Sequence, residues 1–261
     1  MLRPKLNDLL VIVLHMQHHT WNNYTKDQII EFFTLFWEFV ELQEDDSSRF
    51  YIQPNFADLF ASIVWYFKND KQNFQFQKLI FKINEYIQQS IMKKLNHACM
   101  VNILKVFASI CDFVDQKTFV NTQAISYHKF VTFLCGRLAV EMTWTVNDDI
   151  PGDNSDLRGP ITSLMTCASS LTAWIIKQFE QDFQIFMSQG FVPNIQENLT
   201  TIGHCAFKIF MGSEISNLED ANFAFVMSML SLFTEIQCED DNLMVEHFSN
   251  MHFQEKIAKI L

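Results

Sequence analysis

The tetrapeptide Phe60-Ala61-Ser62-Ile63 recurs letter for letter as Phe107-Ala108-Ser109-Ile110, 47 residues further along the chain. A polar turn and an aromatic residue follow each copy, ending at Phe74 after the first copy and at Phe119 after the second. A period between about 20 and 50 residues is typical of stacked structural units, and paired helices repeat near the upper end of that range. The repeat therefore predicts stacked helical hairpins.

A third, weaker copy reads Cys-Ala-Ser-Ser-Leu at 167–171, and a polar turn ending at Phe183 follows it. It lies 60 residues after the second copy, but the chain between them includes an acidic stretch, 145–159, that we interpret as an inserted loop or hinge. Removing this loop restores a spacing close to that of the first two copies. One period therefore fits all three copies.

The composition favours a helical protein with a sizeable core. Of the 261 residues 49% are apolar, whereas six Gly and five Pro are few for a fold that depends on many tight turns. The 27 Phe indicate bulky packing between helices. We predict one all-α domain spanning 1–261, with about ten helices and no strand.

Capping residues and periodicity place the boundaries of these helices. Thr25 and Gln28 form a capping box ahead of one helix, Asn55 caps another, and Gly190 and Gly212 end two more. The predicted helices cover 4–18, 29–42, 55–67, 74–93 in one or two pieces, a helix that starts at Asn96, 125–144, 160–188, 194–211, 218–237 and 242–261.

The net charge indicates which class of partner the chain binds, and the cysteines indicate its cellular compartment. A net charge of -11 and scattered cations oppose direct binding to nucleic acid or to an anionic membrane and favour a protein partner with a basic segment. The longest apolar runs are too short to span a membrane, and we do not read a signal peptide at the N-terminus. Six dispersed cysteines fit reduced thiols, so we expect a cytoplasmic or nuclear protein.

The sequence contains few patterns that are typical of a metal site or a catalytic site. His15, His18 and His19 have the spacing for two metal ligands on one helix face, but no third ligand accompanies them. The acidic loop lacks the alternating ligand pattern of a calcium-binding hand. With no glycine-rich phosphate loop and no nucleophile motif, we expect no metal, no cofactor and no enzymatic activity.

The order of helices within each repeat resembles the armadillo family over residues 55–212. Gly190-Phe191-Val192-Pro193 is similar to the corner that leads into that family's second helix, and Asp115 to Leu134 has the expected spacing from turn to helix. The resemblance implies a right-handed α-solenoid. HEAT-type hairpins have a similar period, and a helical bundle without repeats is the remaining alternative.

The resemblance also implies where a partner binds. The peptide-binding Asn of many armadillo proteins is missing, and its neighbourhoods hold Trp65-Tyr66, Cys111-Asp112 and Ala173-Trp174. On the helix that follows Ile161, an apolar stripe formed by Leu164, Ala168, Leu171, Ile175 and Phe179 leaves Ser163, Thr166, Ser170, Trp174 and Lys177 on the opposite side. In the armadillo arrangement that side lines the concave groove.

We therefore expect partner binding at Trp174, Ser170, Lys177, Thr166, Trp65, Tyr66 and Asp112, with Trp174 as an exposed hot spot. A Trp174 covered by the next hairpin or by the acidic loop is the alternative. The function that follows is a non-catalytic adaptor or scaffold subunit. Alternatives are a fragment of a nuclear transport or cargo receptor, an apolar-ligand carrier, an unrecognised enzyme, and a constitutive subunit that self-associates through an end hairpin.

Overall fold

All regular structure in the described part of the chain is helical. A computed structural model describes residues 25–41, 54–67, 69, 73–92, 95, 97–114, 127–147, 158–212, 226–232 and 249–260, and none of these residues forms a strand. The chain divides into two compact units, Met1–Thr118 and Phe119–Leu261. The predicted single domain stays a prediction. Among the described helices, none is both long and apolar enough to cross a membrane.

The first unit contains four described helices. They are α1 (Lys26–Glu41), α2 (Pro54–Phe67), α3 (Phe74–Ile91) and α4 (His97–Ile110). The predicted capping box opens α1, because the Gln28 amide N–H donates to Thr25 Oγ1 at 3.3 Å and the Thr25 N–H donates to Gln28 Oε1 at 3.0 Å. Two backbone donors that the helix leaves unpaired are thereby satisfied.

Helices of the first unit pack in parallel pairs. Phe67 at the end of α2 stacks on Phe76 at the start of α3, with ring centroids 4.7 Å apart, and Phe113 just beyond α4 contacts Phe76 at 5.4 Å. The ends of α2 and α4 therefore lie at the same end of the unit. Since these two helices pack against each other, they run in the same direction.

The other pair, α1 and α3, is also parallel. The Lys26 ammonium lies 5.9 Å from the centre of the Phe67 ring, so both α1 and α3 begin near the end of α2. Further along, Trp37 meets Tyr86 edge to face at 4.9 Å. Because α1 and α3 meet both at their starts and further along, the two helices run in the same direction.

The first two copies of the repeat share one burial pattern. Phe60 and Ile63 in α2 are fully buried, and so are Phe107 and Ile110 in α4. The alanine of each copy is only partly buried. A Phe and an Ile three residues apart lie on one helix face, which explains why both side chains are buried together.

The third copy has a different pattern. Ala168 is completely buried, and Ser170, which stands where the other copies have Ile, is exposed. The shared letters therefore do not occupy equivalent environments. This copy lies in the second unit, on the helix Arg158–Gln181, which is covered on more than one side.

The second unit holds the remaining described helices. They are α5 (Tyr127–Asn147), α6 (Arg158–Gln181), α7 (Phe183–Ser188), α8 (Val192–Gly212), α9 (residues 226–232) and α10 (Met251–Ile260). The most extensive packing joins α5 to α8, and α5 also packs on α6. The short helix α7 contacts both α6 and α8.

Three contacts show that α5 and α8 are parallel. The Cys135 thiol lies 3.9 Å from the Ile195 carbonyl oxygen, and the Thr143 hydroxyl lies 3.7 Å from the Cys205 sulfur. Between these points, a Cβ at Gly136 would lie 3.4 Å from Asn198 Nδ2, so the Asn198 side chain of α8 packs against α5 there. Residue numbers rise in the same direction on both helices.

Helix α10 closes the end of α8. The Lys256 ammonium donates to the Phe210 and Met211 carbonyl oxygens at 2.5 and 3.2 Å, and it also lies 4.9 Å from the centre of the Phe210 ring. Phe253 contacts the rings of Phe207 and Phe210. A cation at the last carbonyls satisfies acceptors that the helix itself leaves unpaired.

Several predicted boundaries were wrong. Asn55 lies inside the first turn of α2 because the helix starts at Pro54, and Pro160 likewise lies inside the first turn of α6. Proline is tolerated there because its missing N–H would have no helical partner. Helix 74–93 is one piece that ends at Ile91, α5 extends to Asn147, and α8 begins at Val192.

One predicted helix is interrupted. The predicted helix 160–188 breaks at Asp182, which stands between α6 and α7 with φ -121° and ψ 24°. Within the range predicted as helix 242–261, Ser249 and Asn250 are not helical and α10 starts at Met251, where Asn250 accepts hydrogen bonds from the amides of His252 and Phe253; residues 242–248 lie outside the described part of the chain. As predicted, Gly190 ends the preceding helix, with a φ of +74° that favours glycine.

Some predictions fall on residues that the structure does not describe. They include helix 4–18, the predicted helix start at Asn96, and most of the acidic loop. Of the helix predicted at 218–237, the described residues 226–232 are helical.

The aromatic contact between the parallel helices gives a first test of the fold. Replacing Phe76 by Ala removes a fully buried ring from the Phe67–Phe76–Phe113 cluster and should lower the free energy of unfolding by about 3–5 kcal/mol. Phe74→Ala, two residues away on the same helix, removes a ring that is 76% exposed and should cost less than about 0.5 kcal/mol. Urea titrations followed by circular dichroism compare the two variants, and equal losses would contradict this packing.

Candidate functional site

The residues predicted to bind a partner lie in both units. One group, in the first unit, consists of Trp65, Tyr66 and Asp112, and the other, on α6, consists of Thr166, Ser170, Trp174 and Lys177.

The first group lies where α2 and α4 end. Trp65 is 67% exposed, Tyr66 is partly buried, and Asp112 is exposed. Tyr66 contacts Phe67 edge to face at 5.3 Å, which connects this group to the buried aromatic cluster. Trp65 and Asp112 are 47 residues apart, the interval of the repeat, and hold matching places at the ends of two parallel helices.

Phe74 is another exposed aromatic residue at the same end of the unit, although the sequence had not singled it out for binding. Asn73 caps α3 by accepting a hydrogen bond from the Phe76 amide at 3.0 Å, which makes Phe74 the first helical residue. Positions two apart on a helix are separated by about 200° around its axis, so Phe76 points inward and Phe74 outward. We call Trp65, Tyr66, Phe74 and Asp112 the aromatic corner.

The aromatic corner offers flat apolar rings together with a carboxylate. The face of an exposed Trp attracts a Lys or Arg side chain, and a carboxylate pairs with the same cations. Phe74 has a sequence signal, because an aromatic residue follows the polar turn after the first copy of the repeat.

The residues of the second group differ in their exposure to solvent. Thr166, Ser170 and Lys177 are exposed along one line of α6, as the sequence predicted. The Ser228 hydroxyl donates to Thr166 Oγ1 at 3.3 Å, which brings α9 beside this line. Ser163, at the start of the same line, is partly buried.

The prediction that Trp174 is an exposed hot spot was wrong. Trp174 is only 6% exposed, although it follows Ser170 by one helical turn. The predicted apolar stripe of α6 is buried as expected, but Met165, Ile176 and Gln178 outside that stripe are buried too. Helix α6 is thus covered around most of its circumference, so Trp174 belongs to the core.

A buried polar cluster joins the start of α5 to the end of α6. The Tyr127 hydroxyl donates to Gln178 Oε1, and His128 Nε2 lies 3.6 Å from Asp182 Oδ2. The His128 ring also meets Phe186 edge to face at 5.0 Å. The sequence signal for this cluster is weak, because only the turn at Asp182 was recognised. These contacts join the start of α5 to the end of α6, so the two helices, which pack against each other, are antiparallel.

Chemistry at the thiols is limited by burial. Cys99, Cys111, Cys135, Cys167 and Cys205 are thiols that form no disulfide. Burial raises the pKa of Cys135 to about 12 and also raises the pKa of Cys205, while Thr143 and Lys208 act in the opposite direction on Cys205. A raised pKa leaves little of the reactive thiolate at neutral pH.

Among the described residues, no group of three or more His, Cys, Asp or Glu is arranged to hold a metal ion. The histidine group at 15–19 lies outside that part of the chain. The comparisons with family models, curated proteins and solved structures gave no match to this chain. The candidate surfaces therefore rest on the chain's own residues.

The burial of Trp174 predicts a loss of stability on its removal. Trp174→Ala should lower the free energy of unfolding by about 3–5 kcal/mol, since a large buried ring leaves a cavity. Lys177→Ala, one turn further along the exposed line, should change it by less than about 0.5 kcal/mol. Thermal and urea unfolding measure both variants, and a fully stable Trp174→Ala protein would contradict the buried position.

The raised pKa of Cys135 predicts slow alkylation. In the native protein at pH 8, which is well below a pKa of about 12, iodoacetamide should modify Cys135 far more slowly than after unfolding in urea. Mass spectrometry of tryptic peptides measures both rates at Cys135. Equal rates in the native and unfolded protein would contradict its burial.

Proposed function

We propose that the chain is a non-catalytic protein-interaction domain that serves as an adaptor or scaffold subunit of a larger complex. The observation that carries this proposal is the aromatic corner, where Trp65 and Phe74 are 67% and 76% exposed next to an ordered aromatic core. Large aromatic side chains are the residues that contribute most to protein interfaces.

The proposed architecture is an α-solenoid of the armadillo or HEAT kind, with an N-terminal and a C-terminal set of hairpins. Its support is the parallel packing of α1 with α3, of α2 with α4 and of α5 with α8. A hairpin that buries its apolar face on the next hairpin produces this pattern. The contact between Thr166 and Ser228 is consistent with the same relation between α6 and α9.

The proposed partner is a protein segment with Lys or Arg next to an apolar residue. Asp112 supplies a carboxylate at the corner, and the net charge of -11 favours the approach of a basic partner. We propose a cytoplasmic or nuclear location because Cys135, Cys167 and Cys205 form no disulfide, which fits a reducing compartment. Neither nucleic acid nor a membrane is proposed as a partner of this corner.

A quantitative pull-down with the full chain as bait tests the function. Trp65→Ala combined with Phe74→Ala should reduce recovery of the bound protein at least about tenfold, because the hot-spot rings are lost. Both rings are exposed, so the variant should remain as stable as the wild type. Met251→Ala, which also removes an exposed apolar side chain, is the matched control.

The charge of the partner is tested in the same experiment. Recovery should fall between about 0.05 M and about 0.5 M salt, because exposed ion pairs are screened. Asp112→Asn should weaken recovery at low salt and leave the high-salt recovery nearly unchanged. An identical set of bound proteins with the double variant and the wild type would refute the function proposed for this corner.

A further inference from the structure

Two side chains dock helix α10 onto the end of α8. Phe253 is buried, and its ring centroid lies 5.5 Å from that of Phe207 and 5.4 Å from that of Phe210. The Lys256 ammonium donates to the carbonyl oxygens of Phe210 and Met211 and lies 4.9 Å from the centre of the Phe210 ring. Because residues three apart lie on one helix face, α10 presents an aromatic ring and a cation together.

The end of α8 supplies a matching acceptor for each of these two side chains. The last carbonyl groups of a helix have no partner within it and form the negative end of the helix dipole, so they attract a cation. Phe207 and Phe210 lie on one face of α8 and contact the ring of Phe253. The face of an aromatic ring also attracts an ammonium group. We call Phe207, Phe210 and Met211 the α8 end site.

Helix α10 is a short element with little buried surface. It has ten residues, and a helix of fewer than about 12 residues is marginally stable on its own in water. Among its described side chains only Phe253 is fully buried, and those that are exposed are Met251, His252, Gln254, Glu255, Ala258 and Lys259. Elements with few buried contacts open at a lower free-energy cost than the whole domain. We therefore expect α10 to leave α8 while the rest of the unit stays folded.

We infer that the α8 end site binds a helix of a partner protein in which an aromatic residue is followed three positions later by Lys or Arg. Helix α10 is the resident occupant of this site, and the partner helix displaces it. The partner's chemistry follows from Phe253 and Lys256, because a carboxylate at the second position would face the carbonyl end of α8 and be repelled. The site lies in the second unit, so the inference does not depend on the aromatic corner.

A second copy of this chain is a poorer occupant of the α8 end site. If two copies exchanged α10, they would form the same contacts that one chain already forms within itself. These contacts would therefore give a dimer no advantage, whereas association itself costs free energy. A partner helix longer than the ten residues of α10 can add contacts beyond the site. Exchange between two copies is instead an outcome of the test.

The test uses the full chain and a labelled synthetic peptide with the sequence of residues 249–261 as the probe. In the Phe253→Ala, Lys256→Gln chain the resident helix no longer competes for the site. Fluorescence anisotropy should therefore show this double variant binding the peptide at least about tenfold more tightly than the wild type. Saturable binding to the double variant should appear below about 1 mM. Lys259→Gln removes an exposed lysine of the same helix and should leave the affinity at the wild-type level.

Changes in the peptide test the chemistry of the partner. Phe253→Ala or Lys256→Glu in the peptide should weaken its binding to the double variant at least about tenfold, whereas Lys256→Arg should preserve it. Phe207→Ala, added to the chain, should remove binding of the original peptide. Circular dichroism melts check that every chain is folded, and Lys256→Gln alone replaces the double variant if the latter is unstable.

Other results would overturn the inference. Equal affinity of the original peptide for the wild type and the double variant contradicts the role of α10 as a resident occupant. Absence of saturable binding, or equal binding of the original and the Lys256→Glu peptides, removes the proposed partner chemistry. A dimer in light scattering that dissociates in the double variant assigns the site to α10 of a second copy.

Discussion

Parallel packing of α1 with α3, of α2 with α4 and of α5 with α8 is the constraint on which the rest of this structure depends. An amphipathic helix cannot cover its own apolar face, so each helix must be covered by its neighbours. The contacts of Phe76 show this most directly, because its ring meets Phe67 from the preceding helix and Phe113 from the following one. Loss of that contact would expose faces on three helices at once.

The same constraint divides the aromatic residues into a buried set and an exposed set. Phe76 and Phe74 are two residues apart, yet the first is completely buried and the second is mostly exposed. Helix geometry separates them, since only one side of α3 faces the neighbouring helices. The exposed aromatic residues therefore remain where neighbouring helices do not reach, at the corner after α2 and on the outer side of α5.

Local signals in the sequence predicted local structure well. Thr25 and Gln28 satisfy each other's backbone donors within one turn, so nothing distant is needed to place the start of α1. The exposure of Trp174 could not be predicted in the same way. Helical spacing shows which residues share a face with Ser170, but it does not show how many neighbours cover the helix.

Some core residues are not explained by any pattern in the sequence. Asn84 is completely buried on α3, and neither polar atom of its amide has a hydrogen-bond partner; the Nε2 of Gln88, one turn later, is also unpaired. A buried amide without partners costs free energy, so periodicity alone would place an apolar residue there. Apolar spacing therefore identifies the buried side of α3 but not the residue types on it.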